Sequence, residues 1–360
     1  MFPIRRGYEV LPWTQRLMGK VMVLGTGLVG GWVADRLAVE GYDVIGVDTS
    51  VSALEERTSQ VFCIHGPAGI DLLVDHEPDV IVNALPGRIG DQIRSDLITQ
   101  GLAVADLAFT AEDPREHNEL AIDSGARLVY DVGVAPGLSN LLLAEGNRRH
   151  GRLINGRVRV GGNPVEPDNF WSYMAPFSPQ DVIEEYTRPA RIIRANEIVT
   201  VPAISERTLF EVEGRGEMEA FLTDGLRSVL DTVDAENLTE ATVRWPGHIA
   251  RFIGLGDKFN EEELLEAWEW NPQRREFTWM EVMVEGDGRT RWILDDEGGF
   301  QGSSMARTTG AITCATVEHL LETDVPAGVH PPEDLGTSFL DRCLTHYAAN
   351  GIRIVETRER

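Results

Sequence analysis

Residues 21–48 read VMVLGTGLVGGWVADRLAVEGYDVIGVD. An apolar run breaks into glycines, resumes with helical spacing and ends on an acid. Gly25, Gly27 and Gly30 form G-x-G-x-x-G. With 36 glycines in the chain this pattern alone would mean little. Its place decides the matter, because it lies directly after an apolar strand and opens a helix. In that setting Gly25 makes the tight turn. Gly27 lets the backbone approach a pyrophosphate, and Gly30 lets the helix pack closely on the strand. The helix start, with Thr26, Leu28 and Val29, offers unpaired N–H groups and a partial positive charge to phosphates. The stretch therefore predicts a dinucleotide site.

Asp48 ends the next strand, 18 residues after Gly30. A carboxylate there accepts hydrogen bonds from ribose hydroxyls and repels a 2′-phosphate. Thr49 follows it on the same loop, and no basic residue occurs until Arg57. NAD is thus expected over NADP. Asn83, Ala84, Leu85 and Pro86 end the fourth apolar run, and Asp106 ends the fifth. Ligands of open α/β sheets bind beyond the C-terminal strand ends, so all five are expected to line the cofactor crevice.

Six apolar runs alternate with amphipathic segments, at 20–25, 42–48, 60–65, 78–86, 102–108 and 126–133. That alternation predicts an α/β fold, a doubly wound parallel sheet of Rossmann type. After about residue 150 the texture changes. Residues 156–162 alternate like a half-exposed strand. Residues 191–203 read as a hairpin turning at Ala195-Asn196, and 276–294 as another turning at Gly286-Asp287-Gly288. A second α+β domain with a mixed or antiparallel sheet is expected. Helical spacing resumes at 304–321 and again around 337–349. Residues 1–17 precede the first strand and read as an N-terminal extension.

Composition narrows the partners. The formal charge is −25, from 58 acids against 33 Lys and Arg, which repels nucleic acid and anionic lipid. Three cysteines without CxxC spacing argue against a disulfide framework or structural zinc, and suit a reducing cytoplasm. No apolar stretch reaches the ~20 residues that span a bilayer. The histidines show no HExxH spacing, so no metal is expected. No G-x-S-x-G elbow suggests serine hydrolysis.

DVGVAPGLSNLLLAEG (131–146), SPQDVIEEYTRPARIIRANEIVTVPAISE (178–206), TDGLRSVLDT (223–232), ATVRWPGH (241–248) and SSMARTTG (303–310) complete a pattern. The chain resembles the saccharopine dehydrogenase-like reductases, most closely the L-lysine 6-dehydrogenase branch, from about residue 18 to 355. Trp245 stands where the lysine enzymes often have tyrosine, and NFWSYMAPFSP (169–179) is not a close match. Both departures point to a changed substrate pocket. The resemblance implies oxidation at a carbon bearing an amine, with NAD(P) as cofactor, by a homodimer or dimer-based oligomer. It implies a discontinuous first domain, 18–132 with 303–350, around a substrate domain at 133–302.

Amine oxidation requires a neutral nitrogen, while an alkylammonium keeps its proton to a pKa of ~10.4. A base or a dry pocket must remove that proton. An amino acid substrate also needs a carboxylate clamp, for which arginine is suited. Arg244 and Arg307 are the candidates, with Arg188 next. His248, on the turn after Pro246-Gly247, is a candidate proton relay. Asp106 and Asp131 are candidates for holding or deprotonating the amine. Glu184, Glu185 and Tyr186 read as a solvated helix face and a packing contact. Two other functions compete. One is a saccharopine or carboxynorspermidine-type reductase that forms a secondary amine. The other is a catalytically silent NAD-binding regulatory protein.

Overall fold

The computed structural model describes residues 18–359; the expected extension at 1–17 lies outside them. The described chain divides into two compact units. The first runs to Tyr130 and includes Thr316–His330; the second holds Asp131–Ala315 and the residues from Pro331 onward. The returning segment is thus 316–330, shorter than the expected 303–350. The helix Ser304–Glu322 is divided at residue 315, and Gly336–Ala349 belongs to the second unit.

In the first unit, strands β1 (Lys20–Leu24), β2 (Asp43–Asp48), β3 (Val61–His65), β4 (Val80–Asn83), β5 (Ala103–Asp106) and β6 (Arg127–Val129) answer the six apolar runs. A seventh strand, Gly328–His330, joins from far along the chain. The order is 328–330, β6, β5, β4, β1, β2, β3, and every pairing is parallel. β1 and β4 are buried almost throughout, as strands covered by helices on both faces must be. Met22, Leu24, Ile45, Ile81, Leu97, Val104 and Leu128 share one core. The strand order reverses between β1 and β4, and the crevice at that switch point is where such sheets bind ligands.

The second unit holds a nine-stranded mixed sheet. Its strands are β7 (Leu153–Pro164), β8 (Ala190–Arg194), β9 (Glu197–Val201), β10 (Thr208–Val212), β11 (Gly216–Leu222), β12 (Ala235–Arg244), β13 (Glu276–Gly286), β14 (Gly288–Glu297) and a last strand, Ile354–Glu359. The path runs β10, β11, β12, β7, β13, β14, 354–359, with β8 pairing β12 and β9. β12 and β7 are parallel; the other neighbours are antiparallel. Ala195 and Asn196 both have positive φ, 51° and 71°, the primed turn that joins a two-residue hairpin.

β12 positions the second unit's polar residues. Side chains alternate across a strand, so Ala241 and Val243 enter one apolar cluster with Leu222, Phe277 and Trp279. Glu240, Thr242 and Arg244 point the other way. On that side stands an aromatic cluster of Trp171, Tyr173, Tyr186, Phe221, Phe252 and Trp268. Tyr186 comes from the helix Pro179–Thr187, whose Ser178 caps the N-terminus by accepting from Asp181 N.

Candidate functional site

The glycine loop joins β1 to the helix Leu28–Glu40. Gly25 has φ of +85°, and a Cβ there would lie 2.7 Å from the Ala84 carbonyl. A Cβ on Gly30 would lie 2.0 Å from the Gly25 carbonyl and 2.8 Å from Ala84 Cβ. Packing within the protein explains both residues. It does not explain Gly27, which is exposed and where a Cβ would meet nothing within 4 Å. The open ground above Gly27 lies beside the first helical turn. Gly31 N reaches back to Gly27 O at 2.9 Å, and the N–H groups of Leu28 and Val29 precede that first intrahelical bond. No acidic side chain stands in this turn. An anion such as a pyrophosphate fits here.

Asp48 is tied down at the end of β2. One carboxylate oxygen accepts from Thr26 N at 2.6 Å, the other from Ser50 N at 2.8 Å. Oδ2 also takes Thr26 Oγ1 at 3.3 Å, while Oδ1 can still accept a second bond, so the carboxylate is aimed and still able to take a ribose hydroxyl. Arg57 bonds Asp35 at 3.0 Å and the Ala53 carbonyl at 3.0 Å, which commits it away from a 2′-phosphate. Thr49 is exposed beside Asp48, and its carbonyl meets His65 Nε2 at 3.0 Å. Ala84 closes against the glycine loop, Leu85 is half-buried, and Pro86 is exposed at the start of the helix Gly87–Thr99. Asn83 is fully buried and its amide donates to Gly90 O and Asp106 Oδ1, so its side chain braces β4 against β5.

Asp106 departs from expectation. It is fully buried and receives Arg94 Nε at 2.6 Å, Asn83 Nδ2 at 2.9 Å and Ala108 N at 2.9 Å. Arg94 is fully buried as well. Asp106 is the anion of an internal ion pair and has no place as an amine-binding or cofactor-lining group. A strand-end acid looks the same in sequence whether it faces the crevice or the core.

In the second unit, Arg244 is buried at 3% exposure. Its Nε donates to Tyr186 Oη at 2.7 Å and its Nη1 to the Val243 carbonyl at 3.0 Å. The guanidinium lies 4.7 Å from the centre of the Tyr173 ring. No carboxylate among the described residues comes within ion-pair distance of it. A guanidinium stays charged at any working pH. Beside it the Tyr173 hydroxyl and the Trp268 indole nitrogen are buried without partners. Burial pushes the Tyr173 phenol up to about 12, against the pull of Arg244, so it remains a donor. The cluster therefore holds a cation with no carboxylate in contact, Glu185 acting on it only from beyond ion-pair distance, together with unused donors, the complement of a carboxylate.

His248 does not act as a proton relay here. Its Nδ1 meets the Trp171 carbonyl at 2.9 Å, and a carbonyl can only accept. The proton is therefore on Nδ1, and Nε2 accepts from Tyr186 Oη at 3.1 Å. Burial, reinforced by the Arg244 charge, drives the imidazole down to about 3. Arg244, Tyr186, His248 and Trp171 form one directed chain whose polar positions are all assigned. His248 fixes Tyr186, which in turn fixes Arg244.

The remaining candidates are held elsewhere. Asp131 pairs with Arg227 at 3.0 Å, both nearly buried and both in the left-handed region, with φ of 54° and 55°. Its Oδ2 is taken, while Oδ1 is buried without a partner. Arg307 donates to the Asn350 carbonyl at 2.8 Å and pairs with Asp296 at 3.2 Å, so it ties the helix Ser304–Glu322 to its surroundings and is not placed as a substrate clamp. Arg188 pairs with Glu184 at 3.1 Å on its own helix. Trp245 donates to the Pro164 carbonyl and lies in the cluster on the opposite face from Arg244, so that departure does not reshape the Arg244 site. The other departure does, because Trp171 and Tyr173 of 169–179 form its walls.

Sequence reasoning passed over Glu240 and Thr242, read Glu185 and Tyr186 as a solvated helix face and a packing contact, and marked Trp171 and Tyr173 only as part of the departing stretch 169–179. A signal existed for the strand members: Glu240, Thr242 and Arg244 are polar at every second position of an apolar strand, which marks one shared face. Residues Tyr186 and Glu185 carried none, since a helix reads the same whether its polar face meets water or a site.

The saccharopine dehydrogenase C-terminal domain family matches residues 133–352. The mouse (Mus musculus) mitochondrial alpha-aminoadipic semialdehyde synthase is 21% identical over 296 residues, 76% of this chain and 31% of that protein. The chain thus spans about a third of the length of this curated relative. The apo, L-Glu-forming saccharopine dehydrogenase of Saccharomyces cerevisiae superposes with a TM-score of 0.74 at 15% identity, covering 95% of this chain and 100% of that one, and so has the same fold. With the family match extending over more than half its length, this chain belongs to the saccharopine dehydrogenase-like family.

Proposed function

We propose that this protein is an NAD-dependent dehydrogenase that oxidises the amine-bearing carbon of an amino acid, with L-lysine 6-dehydrogenase activity as the leading reading. The observation that carries it is Arg244, a buried guanidinium with aromatic walls and no carboxylate of its own. A substrate α-carboxylate supplies the missing charge. The glycine loop and Asp48 would hold the dinucleotide, Asp48 favouring an unphosphorylated ribose. Bound NAD would supply the hydride acceptor. The overall change is balanced: R–CH2–NH3⁺, NAD⁺ and water give R–CHO, NH4⁺, NADH and one proton. The protein's share is to fix the headgroup, keep the reacting end dry and accept that proton. We place the protein in the cytoplasm and expect it to work as a homodimer or dimer-based oligomer.

The saccharopine-type alternative, carried in the name of the yeast enzyme, joins two molecules and must hold more than one carboxylate. Of the three arginines expected, only Arg244 lacks an acidic partner, since Arg307 and Arg188 are paired with Asp296 and Glu184. That favours a substrate with one carboxylate. Amino acids and diamines should be screened with NAD⁺ while reduced-cofactor absorbance and ammonia are followed. Lysine should be oxidised with release of ammonia, and cadaverine, which lacks the carboxylate, ten- to a hundredfold less efficiently. Arg244→Lys should erase most of that preference, because a point charge does not reproduce the guanidinium fork. Equal oxidation of both by the wild type, or glutamate consumption without ammonia, would refute this reading.

A further inference from the structure

Glu240 is buried at 4% exposure, two positions before Thr242 and four before Arg244, on the same face of β12. Its Oε2 lies 2.7 Å from Thr223 Oγ1 and 3.1 Å from Gly225 N. Thr223 Oγ1 lies 2.9 Å from Thr242 Oγ1. Thr242 Oγ1 in turn bonds Glu185 Oε1, from the helix that also supplies Tyr186. Four groups are therefore linked by three contacts: Glu240, Thr223, Thr242, Glu185.

Three hydrogen bonds need three protons. Each threonine hydroxyl has one to give, so the third must sit on a glutamate. Glu240 is the deeper of the two, while Glu185 is only half-buried. Asp224, a further nearby acid, is neutralised by two bonds from Arg191 at 2.9 and 2.8 Å and does not supply the proton. Burial pushes the Glu240 carboxyl up to about 8, and repulsion from Glu185 adds to it. The proton sits on Glu240, both hydroxyls point outward along the chain, and Glu185 is left as a carboxylate receiving Thr242.

That carboxylate stands near the Arg244 cation. Thr242 and Arg244 are two residues apart, about 7 Å along the strand. Tyr186, next to Glu185, bonds Arg244 directly. Glu185 and Arg244 thus act on one another as charges without closing as an ion pair. Tyr173 contributes its unpartnered hydroxyl on the Arg244 side. A ligand with opposite charges on two groups borne by one carbon complements that pair of charges, and the zwitterionic headgroup of an α-amino acid has that pattern.

We infer that Glu185 and Arg244 together recognise an α-amino acid headgroup, Arg244 taking the carboxylate and Glu185 the ammonium, with Glu240, Thr223 and Thr242 as positioning residues that hold Glu185 in place. This rests on the reading that Arg244 binds a substrate carboxylate. It adds that simple amino carboxylates without an α-ammonium are discriminated against.

Equilibrium binding to the full chain tests this without turnover, by calorimetry with L-lysine, 6-aminohexanoate (no α-ammonium) and cadaverine (no carboxylate). The wild type should bind lysine most tightly. Glu185→Gln should weaken lysine ten- to a hundredfold and leave 6-aminohexanoate unchanged. Thr242→Val should do the same more weakly, since it acts only through Glu185. The infrared difference between wild type and Glu240→Gln should show the loss of one protonated-carboxyl band at neutral pH. If Glu185→Gln weakens both ligands alike, or neither, the headgroup assignment falls. If no band is lost, the shared proton falls. A protein that binds with the expected pattern but oxidises no amine would keep the clamp and overturn the dehydrogenase reading. One that oxidises amines with Glu185→Gln indifferent to the α-ammonium would do the reverse.

Discussion

His248 should make the second unit acid-labile over a defined range. In the unfolded chain its imidazole takes a proton near 6.5; in the folded protein burial and the Arg244 charge delay that to about 3. The unfolded state therefore binds the proton first. Stability from this group is full above about pH 6.5 and drains as pH falls towards 3. Each unit in that interval is worth ~1.4 kcal/mol, so at about pH 5 the loss is ~2 kcal/mol. Wild type alone would blur this, because Glu240 and Glu276, raised to about 8 and about 7, push stability the opposite way between their unfolded values and those limits. Comparison with His248→Gln cancels them. Urea unfolding followed by tryptophan fluorescence suits the assay, since Trp171 and Trp268 pack around His248 at 5.5 and 5.6 Å. Between about pH 7.5 and pH 5, wild type should lose ~2 kcal/mol more than the variant. A difference that stays flat across that range would mean the imidazole titrates in the folded protein as it does in the unfolded chain, and the directed chain from Arg244 to Trp171 would be wrong.

Asp48→Ala should weaken NAD about ten- to a hundredfold and reduce the preference over NADP, as measured by cofactor titration. Equal wild-type affinity for both cofactors would count against Asp48 as the ribose ligand. Gly30→Ala should abolish NAD binding or lower the melting temperature, because its methyl group would lie 2.0 Å from a backbone carbonyl; unchanged binding and stability would show that the loop can open. Asp106→Ala should cost ~1–3 kcal/mol, because it removes three hydrogen bonds at a buried point and leaves Arg94 with the part-exposed Asp91 as its ion partner, while the folded fraction keeps its turnover number. A specific loss of turnover with stability intact would restore Asp106 to the reaction.

The first unit was legible because its physics is local. Every strand of β1 to β6 is a short apolar run, and Gly25 and Gly30 of the loop meet steric demands set by residues close in sequence or by the adjacent strand. The seventh strand was not legible, since Gly328–His330 is three residues without a hydrophobic pattern, placed by its pairing with β6. In the second unit the hairpin turn at Ala195-Asn196 was visible from its own residues. Arg244 could be named as a cation in a specific motif, but its lack of a partner is a property of three dimensions. The same holds in reverse for Asp106 and Arg307, whose partners Arg94 and Asp296 are ordinary charged residues in sequence. Which charges cancel is decided by packing, and the site consists of the charge that does not.

The pairing of Gly328 with Arg127 also sets a schedule for biosynthesis. When β6 leaves the ribosome, its partner on the outer side has not been made. At roughly 5–20 residues per second, the intervening ~200 residues take on the order of 10–40 seconds to appear. For that time the nascent sheet has an open parallel edge, with unpaired backbone groups able to template association with other chains. Capping it then means closing a very long loop, and that closure entropy, which grows as the logarithm of loop length, must be offset by burial around His330 and Val329. The window between the two strands is therefore when a newly made chain most needs an escort, and late truncations should be degraded or aggregate even though the glycine loop was finished long before.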